Sequence, residues 1–308
     1  MNIIQILSEK AGGRKRRYAV RLSDALSREG HSVETFAPRW GIFASVALAS
    51  RINKIDGEVL IHAHSFKDAA MALNGRRLST KPDDVKVNLY VHDCNPAELK
   101  PSVIKVYDGL DSIVFGSKFS REVFLSSNPP IRNAAIKVAP FPLDYCTSHK
   151  SSQSPANIIF SGDIHPDSGL RTLIDALNGL TDSDWRLWVW GTGKGGDVMP
   201  LVRYVRSLPI ADRVEWLGDV PVGEFMEKAH IAVAPDLKPP ANCIDMLDAI
   251  AAGCAVIASD SGAYREFFTD GENALLVPPG STEDLRSALK KLLDSSDLRV
   301  RIANNGLN

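Results

Sequence analysis

The chain has 308 residues, with 36 Lys and Arg against 37 Asp and Glu, and 44% of its residues are hydrophobic. This length fits two domains or one large one, and the apolar fraction excludes a disordered chain. The formal net charge of −1 excludes a general electrostatic attraction to nucleic acid. Neither a C-x-x-C pair, a signal-peptide pattern nor a membrane-length apolar run is present, so we expect a soluble, cytoplasmic protein.

Short apolar runs alternate with amphipathic stretches along the whole chain. Runs of this length and composition are typical of parallel strands that are covered on both faces. They predict strands at 3–7, 59–61, 87–91, 112–115, 157–160, 187–190, 214–217, 231–234, 255–258 and 274–277. Helical spacing joins the apolar residues between them, for example Leu285, Ala288, Leu289 and Leu292. The alternation predicts an α/β protein with parallel sheets and right-handed crossovers.

Residues 146–156 break this rhythm, because they are rich in Ser and carry no apolar period. The segment predicts a linker between an N-terminal domain at 1–145 and a C-terminal domain at 157–308. Each half has its own series of strands, so we expect two doubly wound, Rossmann-like domains. A ligand cleft is then expected at the carboxyl ends of the strands.

The first candidate site follows the first strand, where Gly12 and Gly13 precede a basic run that includes Arg14 and Arg16. Paired glycines expose amides at a helix N-terminus, where an anion is favoured. Such a run fits the binding of an acceptor phosphate, or peripheral contact of the protein with the inner face of an anionic membrane. The alternative is a solvated basic surface, since charge runs often have no ligand.

Three histidines follow predicted strands in the N-terminal half: His62, His64 and His92. A histidine at a strand end can hydrogen-bond a sugar or phosphate oxygen, or move a proton. The alternative for each of them is a structural histidine that is satisfied within the core.

The strand ends of the C-terminal half carry two further candidates. Gly162 and Asp163 follow one strand, and we expect Asp167 or Ser168 to cap the next helix. A turn after the next strand contains glycines and a cation without the Walker spacing, and a flexible turn is the alternative. Its candidate residues are Gly191, Gly193 and Lys194.

A helix is predicted over 244–252, closed by Gly253. Asp245 and Asp248 share one face of this otherwise apolar helix. Buried carboxylates are costly without a partner, so they indicate a ligand or a cleft-facing surface. Exposed, solubilising acids are the alternative. The D-x-D pattern at 182–184 lies in a polar turn, and we assign no metal to it.

The segment 247–259 (LDAIAAGCAVIAS) is similar to L-E-A-M-A-x-G-x-P-V-I-A-S of the family-four retaining glycosyltransferases. The resemblance extends to G-H-x-V at 30–33, to the G-x-x-x-E spacing of Gly262 and Glu266, and to D-G-x-N-G-x-L-V at 270–277. It implies the α/β GT-B fold, with two doubly wound Rossmann-like domains that face each other across a cleft.

The resemblance also implies a function. The C-terminal domain would hold a nucleotide-diphosphate sugar, and the N-terminal domain a glycan, a lipid-linked or a small-molecule acceptor. A hexose would be transferred with retention, without a cofactor or a metal. His92 would contact the transferred sugar, and Asp248 would hold the ribose hydroxyls. Base and phosphate contacts would come from Gly218, Lys238, Ala241, Asn242, Cys243 and Ile244, together with the strand-end residues named above.

Several positions depart from the family pattern. Asp163 and Ser168 stand where the family has the Arg and Lys that clamp the diphosphate, and Pro240 replaces a sugar-binding Glu. Lys194, Lys238, Arg171 and the Arg14–Arg17 group are the candidate compensating cations. Two other functions stay open: a non-catalytic GT-B protein that binds a ligand or partner, and a nucleotide-sugar epimerase.

Overall fold

The computed structural model describes residues 1–7, 13–37, 43–92, 101–127, 131–139, 155–218, 220 and 223–307. The chain divides into two compact units, Met1–Pro142 and Leu143–Asn308. Gly12 and most of the predicted linker, residues 146–154, lie outside the described residues.

The N-terminal unit is built on a parallel six-stranded sheet with the order β2-β1-β3-β4-β5-β6. Its strands are β1 (Asn2–Ile6), β2 (Ser32–Phe36), β3 (Val59–Ala63), β4 (Val85–Val91), β5 (Ser112–Phe115) and β6 (Ala135–Val138). Its helices are α1 (Gly13–Arg28), α2 (Ala44–Ile52), α3 (Phe66–Leu78), α4 (Pro101–Asp108) and α5 (Lys118–Ser127). Central strands β1, β3, β4 and β5 are apolar because helices must cover both faces of a parallel sheet.

The C-terminal unit repeats this plan with the strand order β12-β11-β10-β7-β8-β9. Its strands are β7 (Ala156–Ser161), β8 (Trp185–Trp190), β9 (Val214–Gly218), β10 (Ile231–Ala234), β11 (Ala255–Ser259) and β12 (Leu275–Val277). Its helices are α6 (Leu170–Asn178), α7 (Gly195–Arg206), α8 (Gly223–Lys228), α9 (Ile244–Ala251), α10 (Tyr264–Phe267), α11 (Thr282–Asp294) and α12 (Ser296–Gly306).

The core of the C-terminal unit shows why its strands are continuously apolar. Ile158 and Phe160 of β7 pack in one buried cluster, and Ile159 between them packs in another. Successive side chains of a strand point to opposite faces, so the sheet has an apolar layer on each side. Each layer excludes water from one face, and the central strands therefore carry no polar alternation.

Every predicted apolar run falls on a strand, but strand periodicity missed β2 and β6. Both lie at the edges of the N-terminal sheet and are partly exposed along their length. An edge strand needs less apolar surface than a central one, so its sequence gives a weaker signal.

The predicted N-cap of α6 is wrong. His165 instead caps a short 3-10 turn, Pro166–Ser168, by accepting from the amide of Asp167 at its Nδ1. Gly169 then takes a left-handed conformation (φ 69°) and starts α6, while Ser168 is buried.

Candidate functional site

The predicted donor-binding residues of the C-terminal unit follow the ends of four neighbouring strands. The end of β7 is joined to that of β8 by the amide of Gly162, which donates to the carbonyl of Trp190 (3.2 Å). The amide of Gly191 donates to the carbonyl of Gly218 at the end of β9 (3.0 Å). The sheet therefore brings residues that are far apart in sequence together at the carboxyl ends of its strands, where α/β sheets bind ligands.

Glycines set how closely these loops approach each other. A Cβ on Gly191, at φ 136°, would lie 1.8 Å from the carbonyl oxygen of Gly162. A Cβ on Gly193 would lie 2.2 Å from the carbonyl oxygen of Ile164. Side chains cannot be accommodated at such distances, so these glycines are needed for loop-to-loop packing. The turn does not require a bound phosphate to explain its composition.

The loop after β10 is tied to the loop after β7. The amide of Leu237 donates to the carbonyl of Asp167 (2.8 Å), and a Cβ on Gly169 would lie 1.8 Å from the carbonyl oxygen of Pro235. Further along, the amide of Ala263 donates to the carbonyl of Pro240 (2.9 Å). The segment that leads into α9 is thus fixed from both sides by backbone hydrogen bonds.

Helix α9 carries the two candidate carboxylates. All eight of its residues are buried, and Asp245 and Asp248 are each 7% exposed. The interpretation that these are exposed, solubilising acids is therefore wrong. Gly253 ends the helix in a left-handed conformation (φ 77°), as its sequence predicts.

Cys243, Asp245, Tyr264 and Glu266 are close enough to influence each other's charge. Burial raises the pKa of the Cys243 thiol well above its ordinary value, and the carboxylates of Glu266 and Asp245 raise it further. Tyr264 Oη donates to Asp236 Oδ2 (2.7 Å). The thiol is therefore neutral at physiological pH and adds no negative charge at the start of α9.

The candidate compensating cations of this unit have different surroundings. Lys238 Nζ lies 2.7 Å from Asp167 Oδ2 in an exposed ion pair. Arg171 pairs with Asp175 (3.0 Å), and its guanidinium lies over the Tyr204 ring. Lys194 is exposed at the start of α7, and Asp163, which the sequence resemblance matches to a family arginine, is exposed as well. Charge in these loops is therefore mixed, with acids beside most cations.

The candidate histidines of the N-terminal unit form a buried cluster with Gln5. In the sheet register Gln5 pairs with His62, and residues two apart share a face, which brings His64 to the same side. His64 Nε2 lies 2.8 Å from Gln5 Oε1, and His64 Nδ1 lies 3.1 Å from His92 Nε2. Gln5 Nε2 donates to Ser23 Oγ of α1 (2.9 Å).

Aromatic rings pack against the histidines of this cluster. The Tyr18 ring on α1 lies 4.2 Å from the Tyr90 ring, 5.0 Å from the His92 ring and 5.5 Å from the His64 ring, between centroids. His62 is 8% exposed, and its Nε2 has no hydrogen bond among the described residues. The histidines are thus packed inside the fold.

Burial also sets the charge of this cluster. Burial lowers the pKa of His62 to about 4. The pKa of His64 is well below its ordinary value because of burial first, and then because of His62, His92 and Lys15. Both imidazoles are neutral at physiological pH. Among the described residues, no group of three or more His, Cys, Asp or Glu is arranged to hold a metal ion.

Gln5, Tyr18 and Tyr90 were not predicted as site residues. A signal for Gln5 exists, because it is polar within the apolar run 3–7. Tyr18 fits the apolar face of a helix and Tyr90 an apolar strand, so their contacts with the histidines depend on the tertiary structure.

The basic run is described in part. The backbone of Gly13 and Arg14 lies in the first turn of α1, Lys15 is half-buried and Arg16 is exposed. In the described part of the chain, no helix is both long and apolar enough to cross a membrane. Contact with an anionic surface stays a prediction.

Comparison with known proteins decides the family. The sequence profile of the family "Glycosyl transferases group 1" matches residues 147–308, more than half of the chain. The chain belongs to this family. The matched region holds the close-set loops and buried α9 described above, and nearly coincides with the C-terminal unit.

Two curated relatives illustrate the similarity of this glycosyl transferases group 1 chain. The phosphatidyl-myo-inositol mannosyltransferase of Mycobacterium leprae is 33% identical over 142 residues, 44% of this chain and 36% of the relative. The D-inositol 3-phosphate glycosyltransferase of Corynebacterium glutamicum is 28% identical over 159 residues, 49% of this chain and 38% of the relative. The matches therefore span little more than a third of each relative.

Solved structures extend the similarity of fold to the whole chain. Anabaena Alr3699/HepE, in a complex with UDP and glucose, has a TM-score of 0.78 at 17% identity, and the match covers 99% of this chain and 93% of that one. The sucrose-phosphate synthase of Thermosynechococcus elongatus has a TM-score of 0.75 at 16% identity, with the same coverage. The two parallel sheets and these neighbours confirm the GT-B fold.

Proposed function

We propose that the chain is a retaining glycosyltransferase that transfers a hexose from a nucleotide-diphosphate sugar to a glycan, a lipid-linked or a small-molecule acceptor. The observation that carries this proposal is the match of residues 147–308, which include helix α9, to the profile of the glycosyl transferases group 1. Asp248 lies on α9 at the position where the sequence resemblance places the carboxylate that holds the ribose hydroxyls.

The C-terminal unit would bind the donor. Ala241, Asn242 and Cys243 precede the N-terminus of α9, where backbone amides favour an anion such as a diphosphate. Lys194 and Lys238 would add charge at the neighbouring strand ends. Charge that develops on the leaving diphosphate would be met by these groups, which requires no metal in the proposal.

The N-terminal unit would supply His92 to the transferred sugar and hold the acceptor. Phosphatidyl-myo-inositol mannosyltransferase and D-inositol 3-phosphate glycosyltransferase are names of relatives that point to inositol-containing acceptors. For this chain we propose the broader acceptor class, with the basic run at the start of α1 available to an acceptor phosphate.

The test is isothermal titration of the purified protein with UDP, GDP, ADP and their glucose and mannose conjugates. We expect micromolar binding of the nucleotide and nucleotide sugars that carry one particular base. Asp248→Asn should weaken it roughly tenfold or more, because a hydrogen bond to a charged group contributes about 1.5–3 kcal/mol. Asp294→Asn is the control, since Asp294 pairs with Lys290 at the end of α11. Absence of binding to all of these ligands by a folded sample would reject the proposal.

A second candidate function is a GT-B protein that binds a ligand or partner without catalysis. The charge distribution favours it, because Lys238 is paired with Asp167, Arg171 with Asp175, and the sequence resemblance matches Asp163 to a family arginine. Binding of a nucleotide sugar without its hydrolysis or transfer, across a panel of acceptors, would support this candidate against the first.

A further inference from the structure

A chain of hydrogen bonds runs from α1 through β1 and β3 to His92. Gln5 Nε2 donates to Ser23 Oγ (2.9 Å), Gln5 Oε1 lies 2.8 Å from His64 Nε2, and His64 Nδ1 lies 3.1 Å from His92 Nε2. Gln5 and His64 are almost completely buried, at 0% and 2% exposure. The family resemblance gives no role to Gln5, and it places His64 only in sequence order.

We propose that Gln5 and His64 are positioning residues that hold His92 in one neutral tautomer, with its proton on Nε2. The catalytic purpose of this arrangement rests on the proposed function, in which His92 contacts the transferred sugar. The tautomer depends on the orientation of the Gln5 carboxamide, whose oxygen faces His64 and whose nitrogen faces Ser23.

The direction of each hydrogen bond follows from donor chemistry. A carboxamide oxygen can only accept, so the Nε2 of His64 must carry the proton that lies toward Gln5 Oε1. A neutral His64 then has its lone pair on Nδ1. The partner of that lone pair is His92 Nε2, which must therefore be the donor. A neutral His92 is left with its acceptor lone pair on Nδ1.

Gln5 orients this pair without adding charge. Where a carboxylate accepts from a histidine, it also stabilises the imidazolium that forms during proton transfer. A carboxamide carries no negative charge and does not take up a proton at physiological pH. The relay therefore favours a neutral His92 that accepts a hydrogen bond, and it disfavours a His92 that acts as an acid.

The neighbouring His62 and Lys15 act in the same direction. His62 lies 5.0 Å from His64 between ring centroids, and the Lys15 ammonium on α1 disfavours a positive charge on His64. Tyr18 covers the rings from α1, and burial raises its pKa, so it stays neutral. Asp68 on α3 is the acid that Lys15 also influences, and burial raises its pKa. Burial lowers the pKa of His64 itself.

The direct test is NMR of the full chain labelled with 15N-histidine. Long-range 1H–15N spectra distinguish the two neutral tautomers and the imidazolium, and His92→Asn and His64→Asn assign the signals. At pH 7.5 we expect His64 and His92 both to be neutral with the proton on Nε2. A wild-type His92 with its proton on Nδ1, or in the imidazolium form, would overturn the proposal without any variant.

Two substitutions at Gln5 test the cause. Gln5→Met removes the acceptor at similar volume, and the His92 signals should change to a mixture of tautomers. Gln5→Glu keeps an acceptor and adds a charge, which should raise the pKa of the His64–His92 pair by about one unit or more. His31→Gln is the control, because His31 lies outside the cluster, and this substitution should leave the His92 tautomer unchanged. An unchanged His92 tautomer in folded Gln5→Met would reject the role of Gln5.

Kinetics separate this inference from the proposed function. If transfer occurs, Gln5→Met should lower kcat/KM about fivefold, the effect of one neutral hydrogen bond, with the pH profile altered. A folded wild type with the expected tautomer but no nucleotide-sugar binding would reject the proposed function alone. A working transferase whose His92 carries its proton on Nδ1 would reject the inference alone.

Discussion

The carboxyl ends of the strands are surrounded differently in the two units, although both sheets are parallel and six-stranded. In the N-terminal unit, β1, β3 and β4 bring three buried histidines together, with Gln5 as an uncharged partner of His64. In the C-terminal unit, glycine turns bring backbone segments together, and the nearby side chains are mostly charged, such as Asp163, Asp167 and Lys238. The first site is therefore built from buried side chains, and the second from closely packed backbone with charged side chains around it.

This difference shows which feature each site depends on. The histidine cluster of the N-terminal unit depends on side-chain burial, so a change of pH should affect it more than a substitution that alters backbone freedom. The site of the C-terminal unit depends on close backbone approach, so a single Cβ should disturb it strongly. The comparison would fail if a change of pH disturbed the C-terminal unit most and an added Cβ disturbed the N-terminal unit most.

The largest expected effect is that of Gly169→Ala. The new Cβ would lie 1.8 Å from the carbonyl oxygen of Pro235, in a left-handed conformation at φ 69°. We expect a loss of at least about 4 kcal/mol in unfolding free energy, because neither backbone segment can yield easily. Denaturant unfolding followed by tryptophan fluorescence measures it, since Trp185, Trp188, Trp190 and Trp216 are all in this unit.

Gly271→Ala is the matched control for this substitution. Gly271 lies in the same unit at φ 71°, and a Cβ there would meet nothing within 4 Å. It should cost only about 1–2 kcal/mol, the intrinsic penalty of a left-handed alanine. Equal losses at both positions would show that conformation, and not close approach, dominates in the C-terminal unit.

The next effect is acid destabilisation of the N-terminal unit. The pKa of His62 is 6.5 in an unfolded chain and about 4 in the fold, so below pH 6.5 the unfolded state binds the proton more tightly. Stability should be full above pH 6.5 and fall progressively toward pH 4, by about 3 kcal/mol for this histidine alone. Hydrogen exchange of peptides from β1, β3 and β4 at several pH values measures it.

His62→Leu should remove most of the stability loss that this histidine causes at acid pH. His31→Gln, a substitution outside the cluster, should leave that loss unchanged. A pH dependence that is unchanged in folded His62→Leu would show that other groups control the N-terminal unit.

A smaller effect is expected from reversing the charge at an exposed position of the C-terminal unit. Asp163→Arg places a cation at the strand end after β7, where the sequence resemblance implies one. Nucleotide-diphosphate affinity should rise about tenfold, since a charge-assisted contact contributes about 1.5 kcal/mol. Calorimetry measures it, with Asp294→Arg as the control for net charge. No gain in affinity from Asp163→Arg would show that this position does not face the diphosphate.

The smallest effect on stability is that of Lys238→Ala. Its ion pair with Asp167 is exposed, with 74% of the Lys238 side chain accessible, so the loss should stay below about 0.5 kcal/mol. If Lys238 compensates for the missing family cations, nucleotide affinity should nevertheless fall severalfold. Unchanged affinity in the double variant Lys194→Ala, Lys238→Ala would remove both lysines from the proposed clamp.

The sequence by itself determined the ten apolar strands, the helix closed by Gly253 and the family, but not the edge strands β2 and β6. Continuous apolar runs are sufficient for this because a parallel sheet needs two apolar faces wherever helices cover it. The segment 247–259 also indicated the buried face of α9, since its acids stand among small and apolar residues.

Tertiary structure alone decided which of these residues act together. Gln5 and His62 are neighbours through strand register, His92 contacts His64 from the adjacent strand, and Tyr18 packs against them from a helix. Likewise, Gly169 needs to be glycine because Pro235, far away in sequence, lies against it. Periodicity reports which face of an element is buried, but the partner of a polar atom depends on long-range packing.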